Sequence, residues 1–191
     1  MVGVATVALA ACGGGDADPG VGAGSAGDAP AVSDPSSAPS DADDRAAGAD
    51  ELATALTEAF STSTVVDGET GFDGAALAGG DSVVWFWAPW CTICRAEAPE
   101  VAEVAEQFAG QVTLIGVPGR GDLDEMREFV DDTGTGSLTH VADLGGDVWS
   151  AFGVYGQPAF AFIDDGGSVE VFIGGMGGDA LAERVAELVA T

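Results

Sequence analysis

From residue 82 onward, unbroken apolar runs alternate with stretches in which apolar residues return every three or four positions. The run Ser82-Val83-Val84-Trp85-Phe86-Trp87-Ala88 has no polar side, the pattern of a strand covered on both faces. Pro89, Trp90 and Cys91 interrupt it. Over residues 92–108, Ala98, Val101, Ala102, Val104, Ala105 and Phe108 then recur at helical spacing, with Pro99 inside as an expected kink. Residues 112–117 predict a second buried strand, and residues 123–130 a helix with Met126, Phe129 and Val130 inward. A weaker strand follows at 137–141, then a short helix from Asp147 through Val148, Trp149, Ala151 and Phe152. Residues 159–163 and 169–173, joined by Asp164-Asp165-Gly166-Gly167, predict an antiparallel hairpin. A closing helix over 180–189 turns Leu181, Val185, Leu188 and Val189 inward. The alternation predicts an α/β fold, a mixed sheet flanked by helices.

Ahead of this lies a weaker pattern. Leu52, Ala55, Leu56, Ala59 and Phe60 make one short helical face. Residues 60–66, Asp67-Gly68 and residues 70–72 predict an N-terminal β-hairpin. Residues 13–50 hold only two branched aliphatics, Val21 and Val32, and no aromatic. Such a segment buries too little apolar surface to offset its conformational entropy, so it is expected to be disordered.

The 191 residues suit one domain and a tail. Formal net charge is −27, from 32 acidic residues against five arginines and no lysine. Acids occur on both sides of residue 69, which makes the charge a coat and not a tail. A surface so acidic excludes nucleic acid as a partner.

Residues 2–11 are apolar but too few to span a bilayer, and fit the core of a signal peptide. No Lys or Arg precedes them. Leu9-Ala10-Ala11-Cys12 looks like a bacterial lipobox, in which Cys12 becomes the lipidated first residue of the exported protein. The expected organisation is a signal peptide over 1–11, a lipidated disordered tether over 12–51, and the folded domain over 52–191. A Gly-rich coil from 13 to 50 reaches about 35 Å, enough to hold a domain clear of a membrane.

With Cys12 so assigned, two cysteines remain, in Cys91-Thr92-Ile93-Cys94. They stand where the buried strand turns into a helix. A cysteine at a helix start faces unpaired N–H groups and the positive end of the helix dipole, which stabilise thiolate. Cys91 is therefore the expected exposed nucleophile and Cys94 the buried resolving partner. The spacing suits a reversible, redox-active disulfide, and no further cofactor or metal is expected. A zinc site needs about four ligands, and beyond these two sulfurs, with Cys12 assigned elsewhere, the chain offers only His140 as a nitrogen or sulfur ligand. His140 itself reads as a surface or loop residue. A purely structural disulfide stays open on spacing alone.

The surroundings narrow this. Trp85-Phe86-Trp87-Ala88-Pro89-Trp90-Cys91-Thr92-Ile93-Cys94-Arg95-Ala96-Glu97-Ala98-Pro99 resembles the active site of the thioredoxin superfamily. Gln157-Pro158 before an apolar strand resembles that family's cis-proline loop. Pro158 follows Cys94 by 64 residues, which implies a strand–helix insertion, and with Cys-x-x-Cys-x-x-Glu-x-Pro this is similar to the extracytoplasmic TlpA/DsbE-like group.

The resemblance implies a thioredoxin-like sheet, a cis Pro158 beside the cysteines, and a Gln157 main chain that pairs with extended substrate. It also implies a thiol–disulfide oxidoreductase acting on cysteines of exported proteins. A membrane redox partner would reset it, and only the lipid anchor would touch the membrane. Trp90 is expected to shield the disulfide and to offer an apolar docking surface, with packing as the alternative.

Two positions depart from the family. The buried acid six residues before the first cysteine is replaced by Trp85, so any proton relay falls to Glu97 or water. Thr92-Ile93 is neither Gly-Pro nor Pro-His. Arg95 is equally a thiolate-stabilising cation and an ordinary helix charge. Oxidation of substrates is the preferred direction. The alternatives are reduction of apocytochrome cysteines in cytochrome c maturation and, in a different class, a copper-binding chaperone. The latter usually needs Cys-x-x-x-Cys, one residue longer than the spacing here. A peroxidase would need Pro-x-x-x-Thr-x-x-Cys, which neither cysteine has.

Overall fold

All six residues of strand β2, Ser82–Trp87, are buried, and their alternation builds two cores. Val83, Trp85 and Trp87 enter one cluster, while Val84 and Phe86 enter the other. A strand with water on neither side must be flanked by helices on both. The computed structural model describes residues 41–66 and 71–190.

Around β2 stand β3 (Thr113–Pro118), β4 (Thr139–Ala142), β5 (Ala159–Ile163), β6 (Val169–Ile173) and the two-residue β1 (Thr64–Val65). The sheet order is β1-β4-β3-β2-β5-β6. β2 and β4 run parallel to β3, and β5 is antiparallel to β2 and β6. Helices α2 (Thr92–Gln107) and α5 (Gly178–Leu188) cover the Trp85 face, with Met126 and Phe129 of α3 (Leu123–Thr133) in the same cluster. The opposite face is covered by α1 (Asp41–Ala59) and α4 (Asp147–Ala151) through Leu56, Ala59, Val148 and Trp149.

The mixed α/β sheet is as expected, and β4 with α4 forms the strand–helix insertion ahead of Pro158. α2 runs through Pro99 without a break. Two expectations about the N-terminal part fail.

The N-terminal hairpin does not form. β1 pairs antiparallel with the sheet-edge strand β4, Thr64 opposite Ala142 and Val65 opposite Val141, and Val66 N–H donates to His140 O at 2.8 Å. Residues 71 and 72 of the expected second arm are not in a strand; the Phe72 ring packs tilted against Phe60 with centroids 5.2 Å apart, and Asp73 caps the 3₁₀ turn Gly74–Leu77. An open sheet edge beside an apolar cluster outcompetes an isolated two-strand ribbon, which is marginal in water.

The folded part also starts before residue 52, because α1 begins at Asp41. Ala-rich sequence has high helix propensity, and Leu56, Ala59 and Phe60 buried at its C-terminal end supply the nucleus from which it extends. The signal peptide over 1–11, Cys12 and the tether up to residue 40 lie outside the described residues. Among the described residues, no helix is long and apolar enough to cross a membrane.

Candidate active site

β2 delivers the chain to a turn closed by Cys91 N–H donating to Ala88 O at 3.0 Å, and α2 starts at once. Cys91 is the N-cap. Its Sγ accepts a hydrogen bond from the main-chain N–H of Cys94 at 3.1 Å, in the place a serine or aspartate oxygen usually takes. That N–H and the helix start favour negative charge on this sulfur. Cys91 and Cys94 are joined as a disulfide, with Cα atoms 5.3 Å apart. Cys91 is buried rather than exposed as expected, at 6% against 0% for Cys94, and its small opening is where an incoming thiol reaches the pair. The indole of Trp90 and the side chain of Ile93, each 59% exposed, flank the opening as an apolar rim.

Register brings the second motif here. Phe86 pairs with Ala159, so Pro158 stands beside the point where β2 leaves the sheet. The Gln157–Pro158 bond is cis, and Pro158 O accepts from Gly174 N–H at 2.8 Å. The loop after β6 closes against both segments at Gly175. A Cβ there would lie 3.2 Å from Ile93 Cγ2, 3.3 Å from Glu97 Oε2 and 3.8 Å from Pro158 Cγ. Residues 91–97, 157–158 and 174–176 therefore meet at one spot.

Glu97 is buried on α2, one turn beyond Cys94 and on the same helix face. Its Oε1 accepts from the Trp85 indole N–H at 3.0 Å and its Oε2 from Met176 N–H at 3.2 Å. Burial pushes its carboxyl up to about 7; the two hydrogen bonds oppose that shift, and neighbouring Glu100 adds to it. Trp85, standing where the family has an acid, thus holds an acid supplied by the helix.

Trp87 makes a parallel contact. Its indole N–H donates to His140 Nδ1 at 3.3 Å, and Nε2 faces Thr135 O at 3.0 Å. With Nδ1 accepting, Nε2 carries the proton, which describes a neutral imidazole. His140 is buried, not a surface or loop residue. β4 is buried on both faces from His140 to Ala142, so the imidazole goes inward with its neighbours, and the indole provides the polar partner that burial requires. Gly116 leaves room: a Cβ there would lie 2.3 Å from His140 Nδ1 and 2.8 Å from Trp87 Nε1.

Arg95 pairs with Asp132 at 3.0 Å, donates to Pro89 O at 3.3 Å and lies over the Phe129 ring. Its charge is engaged away from the sulfurs. The Trp90 indole N–H donates to Arg120 O at 2.9 Å, and Arg120 Nη1 donates to Gln157 Oε1 at 3.0 Å. Trp149 is core, its indole N–H bonded to Val117 O. Arg120 and Gly175 belong to the site's surroundings but carry no sequence motif. Only their places in loops that follow β3 and β6 reveal them.

Comparison with known proteins places these features. Residues 58–172 match the AhpC/TSA family. The chain is 38% identical over 131 residues to the soluble secreted antigen MPT53 of Mycobacterium tuberculosis, covering 66% of this chain and 73% of that one. It is 30% identical over 111 residues to the thiol:disulfide interchange protein DsbE of Pseudomonas aeruginosa, covering 58% and 60%. Among solved structures, MTB dsbF, in mixed oxidised and reduced forms, aligns with TM-score 0.64 and 43% identity over 68% of this chain and 96% of that one. A secreted Mycobacterium tuberculosis disulfide oxidoreductase homologous to DsbE aligns with TM-score 0.63 and 37% identity, over 68% and 97%. The chain belongs to the AhpC/TSA family and is a thioredoxin-like thiol–disulfide oxidoreductase of the DsbE type.

Proposed function

We propose that the protein is exported, held at the membrane by a lipid on Cys12, and oxidises cysteines of other exported proteins. The observation that carries the oxidative direction is Cys91 at the N-cap of α2, its sulfur accepting a hydrogen bond from Cys94 N–H. Stabilising the thiolate of the reduced form makes the disulfide the more willing electron acceptor. Export draws support from the apolar run over 2–11 and the lipobox, and from relatives described as secreted.

A substrate thiolate attacks Cys91 Sγ and the Cys91–Cys94 bond breaks, leaving a mixed disulfide and a Cys94 thiolate that takes up a proton. Glu97, protonated below about pH 7, is the relay through which that proton passes. A second substrate thiolate then attacks the substrate sulfur and releases Cys91 as thiolate. The substrate gains a disulfide, and the cysteine pair holds two electrons that a membrane redox partner must remove. Throughout, Trp90 docks apolar substrate surface, and the Gln157 main chain, which makes no hydrogen bond among the described residues, pairs with the extended substrate beside cis Pro158.

The test is refolding of a reduced, scrambled protein. The oxidised protein is expected to accelerate it, and Cys91→Ser to abolish the effect. The Cys91/Cys94 reduction potential decides direction: a value near that of thioredoxin, about −270 mV, overturns oxidation in favour of reduction, as in apocytochrome maturation. Stoichiometric copper retained after dialysis would instead indicate the chaperone.

A further inference from the structure

We propose that Arg120 is a positioning residue that clamps the substrate-docking face beside Cys91. The proposal rests on the oxidoreductase reading above. Arg120 has φ +59°, the only non-glycine residue in that region among the described residues. Side-chain-bearing residues hold such a backbone only where their contacts over-determine it. Here the contacts are many and converge on one place.

The main-chain oxygen that this backbone turns outward accepts the Trp90 indole N–H. Nη1 donates to Gln157 Oε1, and Nη2 donates to Tyr155 O at 2.9 Å. The guanidinium lies over the Trp149 ring at 4.8 Å. Trp149 is in turn fixed in the core by Val117 O and by Asp143 Oδ2, which accepts its main-chain N–H. A rigid line thus runs from the core through Arg120 to both segments that border the disulfide.

The charge pattern agrees. Arg45, Arg95, Arg127 and Arg184 each pair with a carboxylate. Arg120 has no carboxylate within 4.0 Å among the described residues, although the chain carries 32 acids. Its fork is spent on an amide oxygen and a carbonyl of the proline loop. The consequence is that the Gln157 side chain is drawn toward Arg120, while its main chain is left to an incoming strand. Lysine, a point charge on a flexible stem, cannot hold two acceptors and stack at once.

None of these contacts involves Cys91 or Cys94, so Arg120 should govern docking and leave the sulfur chemistry alone. This can be read without assuming a direction of electron flow. In the full chain carrying Cys94→Ser, the Cys91 thiolate attacks the sulfur of a short cysteine peptide activated as its thionitrobenzoate disulfide. The Cys91–peptide disulfide forms and thionitrobenzoate leaves, giving a colour change. A small aryl disulfide serves as the undocked control.

Arg120→Ala is expected to slow the peptide reaction about tenfold by loosening the docking geometry, with the control reaction within about twofold and Arg120→Lys failing to restore it. Arg120→Gly removes the side chain while suiting the left-handed backbone, so it reports even if the alanine variant is poorly folded. An unchanged peptide rate, or equal losses in both reactions, overturns the proposal. If the Cys94→Ser protein with Arg120 intact shows no preference for peptide over the aryl disulfide, the protein-substrate reading itself fails, and this proposal with it.

Discussion

The indole N–H of Trp85 points into the carboxylate of Glu97 at 3.0 Å. One partner comes from β2, the other from the helix that starts at Cys91, so the strand–helix unit carrying the disulfide is tied together by a buried polar contact. The carboxyl is held in its protonated form to about pH 7, chiefly by burial.

This makes stability depend on pH in a definite sense. An acid whose folded value is raised binds a proton in the folded state that the unfolded chain has already released. The stabilising contribution is complete below the ordinary carboxylate value of 4.5 and is lost as pH rises to about 7. Glu97→Gln, neutral throughout, should therefore show a flatter stability profile than the parent between pH 4.5 and 7. Urea unfolding across that interval checks it, and parallel profiles would refute the assignment.

The same substitution should act on exchange. Without a titrating group one turn from Cys94, proton delivery to the leaving sulfur falls to water. Reaction of the oxidised protein with a substrate dithiol should slow by about tenfold or more, and the inflection near pH 7 in its rate should disappear. Stopped-flow tryptophan fluorescence measures both.

The space beside Trp87 yields a third expectation. Gly116→Ala drives a methyl to within 2.3 Å of His140 Nδ1, and overpacking of that kind costs about 1–3 kcal/mol. His140→Ala leaves the buried Trp87 N–H without that acceptor, a loss of about 1–3 kcal/mol before any cavity is counted. Denaturant midpoints should fall in both variants, with the cysteine pair still able to form its disulfide.

On the other face, Leu56 of α1 is buried in the cluster containing Val84 and Phe86. Leu56→Ala should cost about 2–5 kcal/mol while leaving the reduction potential unchanged, because α1 lies across the sheet from α2. A shift in potential would show that the two faces are coupled.

How far the sequence carried these conclusions varies with the range of the interaction. The two-sided burial of β2, the helix after Cys91 and the β5–β6 hairpin follow from local periodicity, since each apolar run in that half of the chain has one geometry that hides it. The cysteine pair was legible because spacing and a neighbouring strand–helix junction are local properties too, while its redox role rested on the resemblance of the surrounding motif. The cis state of Pro158 came from resemblance and not from any residue pattern.

What only the tertiary structure decided are pairings between distant segments. Residues 64–65 carry the alternation of a hairpin arm but add to β4 instead, because a sheet edge some 75 residues away offers hydrogen bonds and burial together. The Ala-rich segment before residue 52 looked too poor to fold, until helix propensity and the anchor at Leu56 and Phe60 acted on it jointly. His140 was expected at the periphery, yet β4 is covered on both faces from His140 to Ala142. An indole 53 positions earlier in the chain makes that burial tolerable. Polar contacts between remote residues leave no periodic trace in a chain, so the partners that hold Glu97, itself a candidate in the sequence, and the arginine beside the disulfide became visible only when the sheet brought them together.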